Sequence, residues 1–284
     1  FILMLSLTLG TMITITSNHW VTAWAGLEIN TLAIIPLISK SHHPRAIEAA
    51  TKYFLTQATA SALMLFSSMT NAWSSGQWDI TQLTNPPSCL LLTAAIAIKL
   101  GLTPFHFWFP EVLQGSSLTT ALLLSTAMKF PPTTILLLTS HSLNPTLLST
   151  MAIMSIALGG WMGLNQTQTR KILAFSSISH LGWMTIIITY NPKLTLLTFY
   201  LYSLMTTSIF LSMNSTNTLK LSTLMTSWTK APMLNTTLML TLLSLAGLPP
   251  LTGFLPKWLI IQELTKQEMT TTATIISMLS LLGL

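Results

Sequence analysis

Residues 90–109 read LLLTAAIAIKLGLTPFHFWF, an apolar run of membrane-crossing length that one charge and two helix breakers interrupt. Lys99 lies at its centre, and Gly101 and Pro104 follow directly. A charge at the middle of a membrane helix costs roughly 2.5–3.5 kcal/mol, so such a lysine is kept mainly where it faces protein or trapped water. The stretch therefore predicts a membrane helix that is broken for a functional reason.

The whole chain has the composition of a membrane protein. Only 6% of its 284 residues are charged, 50% are hydrophobic and the mean hydropathy is +0.64, so it cannot build a water-soluble surface. Apolar segments long enough to cross the hydrocarbon core recur from end to end. We predict an all-α polytopic membrane helix bundle with ten visible spans, at approximately 1–16, 20–39, 46–70, 88–109, 117–139, 146–164, 171–190, 194–213, 233–262 and 271–284.

The net charge of +6 is divided unevenly between the two sides of this bundle. When alternate loops are assigned to opposite sides, seven basic residues fall on one side and two on the other. This is the positive-inside pattern, so the basic charge indicates orientation and not nucleic-acid binding, and the N-terminus belongs on the positive side. The positive side holds Lys40, Arg45, Lys52, Arg170, Lys171, Lys220 and Lys230; the other side holds Lys193 and Lys266.

Several kinds of site are missing from the sequence. Cys89 is the single cysteine, which excludes an iron–sulfur or thiolate zinc site within this chain. His42 and His43 are adjacent in a basic loop, which suits a solvated surface better than a metal site. There is no GxGxxG, P-loop or GxSxG motif. We therefore expect no cofactor, no metal and no hydrolytic centre in this chain.

Two segments are interrupted in the same way. KLGLTP at 99–104 and GLPPLTGFLPK at 247–257 both place helix breakers inside apolar runs, so we expect discontinuous helices around 88–109 and 233–262. These are the fourth and ninth predicted spans, and their odd separation gives them opposite directions, as inverted repeats require. No linker separates soluble domains, so we predict one transmembrane domain over 1–284, a fragment truncated at both termini.

Four ionisable residues fall in or near the predicted spans: Glu28, Lys99, Lys129 and Lys257. One interpretation is structural, with buried ion pairs or lysine stems that reach an interface, and it is strongest for Lys257 beside Trp258. The other is a path for protons or cations, because ionisable residues inside a membrane usually mark such paths. The central positions of the first three residues favour the path.

Two histidines are candidates for the same path. His106 and His180 lie in or beside predicted spans, and histidine exchanges protons near neutral pH. A buried histidine that is merely hydrogen-bonded in the core is the competing interpretation for each. We therefore treat both as possible relay residues.

Three long motifs resemble the antiporter-like proton-pumping subunits of respiratory complex I. They are KLGLTPFHFWFPE at 99–111, RKILAFSSISHLG at 170–182 and GLPPLTGFLPK at 247–257. The stretch SNHWVTAWAGLEINT at 17–31, with the Thr- and Met-rich composition, is most similar to vertebrate mitochondrial members. The resemblance covers essentially the whole chain.

The resemblance implies roles for the candidate residues. In this family a glutamate pairs with a lysine on a broken helix, a second lysine lies on the central axis, and a residue on the second broken helix leads to the exit. Glu28, Lys99, Lys129 and Lys257 match these positions in that order, and His106 and His180 match polar positions near the axis. The family form has eleven spans and continues beyond Leu284.

The resemblance also implies the setting of the chain. Proton translocation across the mitochondrial inner membrane would be coupled to electron transfer from NADH to ubiquinone in other subunits. Those subunits would bind FMN, the iron–sulfur clusters and ubiquinone. The partners would be neighbouring hydrophobic membrane-arm core subunits and the lipid bilayer, with no nucleic acid, and the N-terminus and positive loops would face the matrix.

Two alternatives remain open on the residues alone. A free-standing cation/proton antiporter is compatible with the broken helices, and activity of the isolated chain in liposomes would favour it. A passive membrane scaffold is the third possibility, and in that case neutral substitution of Lys99 or Lys129 should leave pumping intact.

Overall fold

A computed structural model of the chain describes residues 1–40 and 42–283. In these ranges the prediction of an all-α fold is confirmed, because the backbone forms helices and turns and no strand beyond isolated bridges. The helices are α1 (Ile2–Thr16), α2 (Trp20–Ser39), α3 (Pro44–Ser75), α4 (Pro86–Leu100), α5 (Trp108–Gly115), α6 (Leu118–Ser125), α7 (Phe130–Leu138), α8 (Pro145–Leu164), α9 (Thr169–Ile187), α10 (Pro192–Thr216), α11 (Leu221–Thr226), α12 (Pro232–Ala246), α13 (Phe254–Lys266) and α14 (Thr270–Leu281).

Within the described ranges, four helical segments are long and apolar enough to cross a membrane. They are α2, the α6–α7 segment, α8 and α10. Shorter apolar helices, among them α1, α4, α12 and α14, pack around them. Prolines in the first turn begin α3, α4, α8, α10 and α12, where the missing amide hydrogen costs no hydrogen bond.

The first discontinuous helix extends further than the sequence predicts. The expected segment was 88–109, whereas α4 ends at Leu100, a connector of turns covers 101–107, and α5 runs on to Gly115. Gly101 adopts a left-handed conformation with φ of 75°, which ends α4, and Pro104 has no amide hydrogen with which to continue it. The second half of the helix therefore starts only at Trp108.

The predicted span at 117–139 also contains an interruption, beside Pro131 and Pro132, a pair that predicts either a kink or an opening near Lys129. Helix α6 ends at Ser125, and a 3₁₀ turn over Ala127–Lys129 precedes α7. Pro131 and Pro132 cannot donate hydrogen bonds to the carbonyls one turn earlier, so the regular helix cannot pass through this point. Lys129 thus lies at a helix break, as Lys99 does.

One long helix supports both halves of the first break. Helix α3 packs against α4 and against α5, so the two half-helices lie one after the other along it. At one end of α3, Lys52 forms ion pairs with Glu48, at 2.5 Å, and with Glu111 of α5, at 2.6 Å. The break is therefore held by a continuous helix beside it.

Helices α8 and α9 approach closely because small residues face each other. A Cβ atom placed on Gly159 would lie 2.9 Å from the Phe175 carbonyl oxygen and 2.9 Å from the Ser179 nitrogen. At Gly163, the nearest atom would be Phe175 Cβ at 3.6 Å, an ordinary contact. The small residues at these two positions are typical of membrane helix packing, but only Gly159 is required by the contact.

We expect Gly159→Ala to destabilise the fold by about 1–3 kcal/mol, because its methyl group would push the α9 backbone away. Gly163→Ala is the matched control, since both changes raise helix propensity equally. The measurement is unfolding of the detergent-solubilised chain by sodium dodecyl sulfate, followed by circular dichroism. Equal resistance of the two variants would contradict the close contact at Gly159.

Candidate functional site: a row of buried ionisable residues

Lys99 lies at the carbonyl end of a half-helix. It belongs to the last turn of α4, where the backbone N–H of Gly101 donates to the carbonyls of Ala97 and Ile98. Trp108 folds back over this end and donates from Nε1 to the Ile98 carbonyl at 3.0 Å. Carbonyls at a helix C-terminus favour a nearby cation. The break thus supplies a partly negative surface beside the lysine.

Glu28 acts on Lys99 through its charge without closing an ion pair. Lys99 is 5% exposed, and in the part of the chain that the structure describes its Nζ has no hydrogen-bond partner. Glu28 of α2 is half-buried and interacts electrostatically with Lys99. Among the described residues, however, no acidic oxygen lies within 4.0 Å of the Lys99 amine. The expected Glu28–Lys99 pair therefore interacts electrostatically, but the two side chains do not form an ion pair.

Lys129 is held between two aromatic rings. Its side chain is buried, and Nζ lies 4.5 Å from the centroid of the Phe109 ring and 5.5 Å from that of Tyr202. The faces of aromatic rings attract cations, more strongly where water is excluded. Phe109 belongs to α5 and Tyr202 to α10, so two other helices set the surroundings of this lysine.

A small cavity joins the two central lysines. Its volume is about 20 Å³, and both Lys99 and Lys129 line it. Tyr53 and Gln57 of α3 line it as well. A cavity of this size has room for about one water molecule. The structure thus brings together two residues that lie far apart in the sequence.

Lys257 contacts the second break. Its Nζ donates a hydrogen bond to the carbonyl of Ala246, the last residue of α12, at 2.7 Å. Gly247 follows with φ of 85°, and a Cβ atom there would lie 2.8 Å from Lys257 Nζ. Glycine therefore both ends the half-helix and leaves room for the amine. The lysine is partly exposed, which also fits the structural interpretation considered for it.

His180 contacts the same half-helix. Its Nε2 lies 3.2 Å from the carbonyl oxygen of Leu245, and because a carbonyl only accepts, Nε2 carries the hydrogen. A second cavity, of about 80 Å³, is lined by His180 and Lys257 together with Ser176 and Ser179. The carbonyl end of α12 thus holds an imidazole and an amine side by side.

His180 lies close enough to Lys257 and to Lys129 to feel the charge of both lysines. Its imidazole interacts electrostatically with both Lys257 and Lys129, and its ring lies 5.4 Å from that of Tyr202. Tyr202 also lies beside the Lys129 amine, so the ionisable side chains follow one another in a row through the bundle. In order, the row consists of Glu28, Lys99, Lys129, His180 and Lys257.

His106 lies apart from this row. It sits in the connector between α4 and α5, is 1% exposed, and makes no hydrogen bond of normal geometry through its ring within residues 42–283. It lines neither of the two cavities described above. Instead it lines a larger pocket of about 320 Å³ with Glu111 and Lys171. The two histidines therefore have different surroundings.

Four residues of the site were not predicted from the sequence: Tyr53, Gln57 and Phe109, which line the first cavity, and Tyr202, which lies beside Lys129. Gln57 carried a usable signal, since an amide inside an otherwise apolar span is unusual. The aromatic residues carried none, because the sequence does not show which helices face Lys129. Within the described residues no group of three metal-ligating side chains occurs. Amines, imidazole and carboxylate, the ionisable groups of this site, are groups that can bind and release protons.

The chain is similar to known membrane proteins. Residues 17–283 match the family model for the transmembrane part of NADH:quinone oxidoreductase and Mrp antiporter proteins. The NADH-ubiquinone oxidoreductase chain 2 of Struthio camelus is 81% identical over 281 residues, which cover 99% of this chain and 81% of that protein. The corresponding protein of Sibirionetta formosa is 79% identical, with 100% and 82% coverage.

Solved structures give the same result for the fold. A chain of respiratory complex I from Thermus thermophilus superimposes with a TM-score of 0.92 at 28% identity, over 99% of this chain and 67% of that chain. A chain of the Mrp complex from a Dietzia species has a TM-score of 0.86 at 17% identity, over 99% and 57%, and shows the fold alone. The chain therefore belongs to the NADH:quinone oxidoreductase/Mrp antiporter transmembrane family.

Proposed function

We propose that this chain is a proton-translocating membrane subunit of respiratory complex I. The observation that carries the proposal is the buried row from Glu28 to Lys257, in which each group shares a cavity or an electrostatic contact with the next. A protein of the bilayer keeps such groups where they serve a pathway. Relatives named NADH-ubiquinone oxidoreductase chain 2 support the same assignment.

The row suits stepwise movement of a proton. Amines and imidazoles change charge by one when they gain or lose a proton, and each change alters the electrostatic energy of the neighbouring group. Glu28 would modulate Lys99, Lys129 would be the central carrier, and His180 would pass the proton to Lys257 beside the second break. His106 would act as a relay from its own pocket, separately from the row.

The setting follows from the same assignment. The chain would cross the mitochondrial inner membrane with ten spans in inverted repeats, as one proton-translocating domain, with the N-terminus and the positive loops in the matrix. FMN, iron–sulfur clusters and ubiquinone would be bound by other subunits, which carry out NADH oxidation. Neighbouring hydrophobic membrane-arm subunits would pack against its exposed apolar surface, which includes Leu9, Phe66 and Trp161.

Complex membership is tested by native electrophoresis of mildly solubilised mitochondrial membranes. We expect the chain, detected by mass spectrometry, to co-migrate with a very large band that stains for NADH dehydrogenase activity. Migration as a small inactive species, together with cation/proton exchange by the isolated chain in liposomes, would contradict the proposal and favour a free antiporter.

Lys129→Met should lower coupled turnover and proton translocation roughly tenfold or more, because methionine fills the same space but carries no exchangeable proton. Assembly should survive, since the apolar side chain needs no partner between Phe109 and Tyr202. The assay measures NADH:ubiquinone turnover and acidification in inner-membrane vesicles. Lys193→Met, at an exposed lysine, is the matched control. Normal pumping by the Lys129 variant would indicate a passive scaffold.

His180→Gln should impair pumping while preserving the fold. The glutamine amide can donate to the Leu245 carbonyl as Nε2 does, but it does not bind a proton near neutral pH. We expect at least a roughly tenfold loss of proton translocation in the same vesicles. His141→Gln, at an exposed histidine, should behave as the unmodified chain. Full pumping by the His180 variant would remove this residue from the path.

A further inference from the structure

The second half-helix, α5, is fixed at its outer end by charged side chains. Glu111 of α5 accepts a hydrogen bond from Lys52 of α3 at 2.6 Å, and Lys52 also donates to Glu48 at 2.5 Å. Water reaches all three side chains, which are 42–61% exposed. None of them belongs to the row from Glu28 to Lys257, so the proposed function leaves this cluster without a role.

The contact between α3 and α5 has a defined register. Arg45, Ala49 and Lys52 follow one another at helical spacing, so they lie on one face of α3. Glu111 and Gly115 likewise share one face of α5. A Cβ atom on Gly115 would lie 2.6 Å from Ala49 Cβ and 2.6 Å from the Arg45 carbonyl oxygen. The two helices therefore touch closely at Gly115, and the Lys52–Glu111 ion pair joins them one turn away.

Further hydrogen bonds hold both ends of α5. The guanidinium of Arg170, in the first turn of α9, donates to the carbonyl of Ser116, which directly follows α5. At the opposite end, Trp108 donates to the Ile98 carbonyl and so ties the start of α5 to α4. Helix α5 is thus held to three neighbouring helices, and its outer end is held by charged side chains.

The same short helix carries the ring beside the Lys129 amine. Phe109 and Glu111 are separated by two residue steps on α5, about 3 Å along the helix axis. Because backbone hydrogen bonds make so short a helix rigid, a shift of Glu111 carries Phe109 with it. The ring centroid lies 4.5 Å from Lys129 Nζ, and the attraction between a cation and a ring depends on that distance. The outer end of α5 is therefore connected mechanically to the surroundings of the lysine.

We propose that Lys52 and Glu111 are positioning residues for the central lysine: their ion pair holds α5 where the Phe109 ring lies beside the amine. This inference rests on the proposed function. When the Lys52–Glu111 pair is lost, α5 is free to shift, and the Lys129 amine loses part of its contact with the ring. Glu48 has no such role, because its ion pair with Lys52 lies within α3 and does not reach α5.

The test uses Glu111→Gln and Lys52→Met in the complete complex in inner-membrane vesicles, compared at equal content of assembled complex on native electrophoresis. Each change removes one charge of the pair at an exposed position, where substitutions rarely disturb a fold. We expect each variant to lower coupled turnover and proton translocation about two- to fivefold, a factor in the range that exposed ion pairs supply. Lys52→Arg keeps the ion pair and should pump normally.

Glu48→Gln is the matched control. It removes an ion pair with the same lysine at similar exposure, but that pair lies within α3. We expect this variant to pump as the unmodified complex does. A loss in Glu48→Gln as large as that in Glu111→Gln would overturn the proposal, since surface charge and not the position of α5 would then be responsible.

A double-mutant cycle with Phe109→Leu tests whether Glu111 acts through the ring. Leucine keeps an apolar side chain but presents no aromatic face to the amine. We expect Glu111→Gln to have little further effect once leucine replaces Phe109, so the two losses should not be additive. A general packing defect would give additive losses, as would an effect of Glu111 on His106, with which it shares a pocket. Additive losses would therefore overturn the proposal.

The outcomes separate this inference from the proposed function. If Lys129→Met abolishes pumping while Glu111→Gln and Lys52→Met pump normally, the positioning role is wrong and the proposed function stands. If Lys129→Met also pumps normally, the proposed function fails and the positioning role fails with it.

Discussion

The structure depends on how a chain in hydrocarbon accommodates lysine amines that have no carboxylate beside them. Lys99 and Lys129 are both buried, and within the described residues neither forms an ion pair or a hydrogen bond. Such a charge would be costly in an unbroken apolar helix. Two lysines have a compensating contact: aromatic faces lie around the Lys129 amine, and the Lys257 amine donates to a backbone carbonyl.

The helix breaks therefore contribute to the electrostatics of the bundle, because they place backbone ends inside it. A continuous helix presents few free carbonyls inside a membrane, whereas α4 and α12 each end there at a left-handed glycine. The end of α4 lies beside Lys99, and the end of α12 accepts from both Lys257 and His180. The continuous helix α3 packs along both halves of the first break and preserves the span where α4 stops. The continuous helix α3 thus supports the span, whereas the half-helices α4 and α12 provide the polar backbone ends.

Much of this arrangement could be predicted from the sequence. Composition and the apolar segments gave the all-α membrane fold, and the glycines and prolines located both major breaks. The third break, at Lys129, was indicated by the Pro131–Pro132 pair, but a proline pair does not show how many residues leave the helix. The row itself could only be inferred from a family resemblance, since contacts such as Lys129 with Tyr202 join residues distant in the chain. Tyr53 and Gln57 were missed because periodicity does not show which face of α3 meets a cavity.

The position of Phe109 has a thermodynamic consequence. This ring belongs to α5, the second half of the helix whose first half carries Lys99, and yet it lies over the Lys129 amine. Any displacement of α5 that changes the stability of the charged Lys129 must, by linkage, be favoured or opposed to the same extent when Lys129 gains a proton. Helix position and proton occupancy therefore share one coupling free energy, which works in both directions.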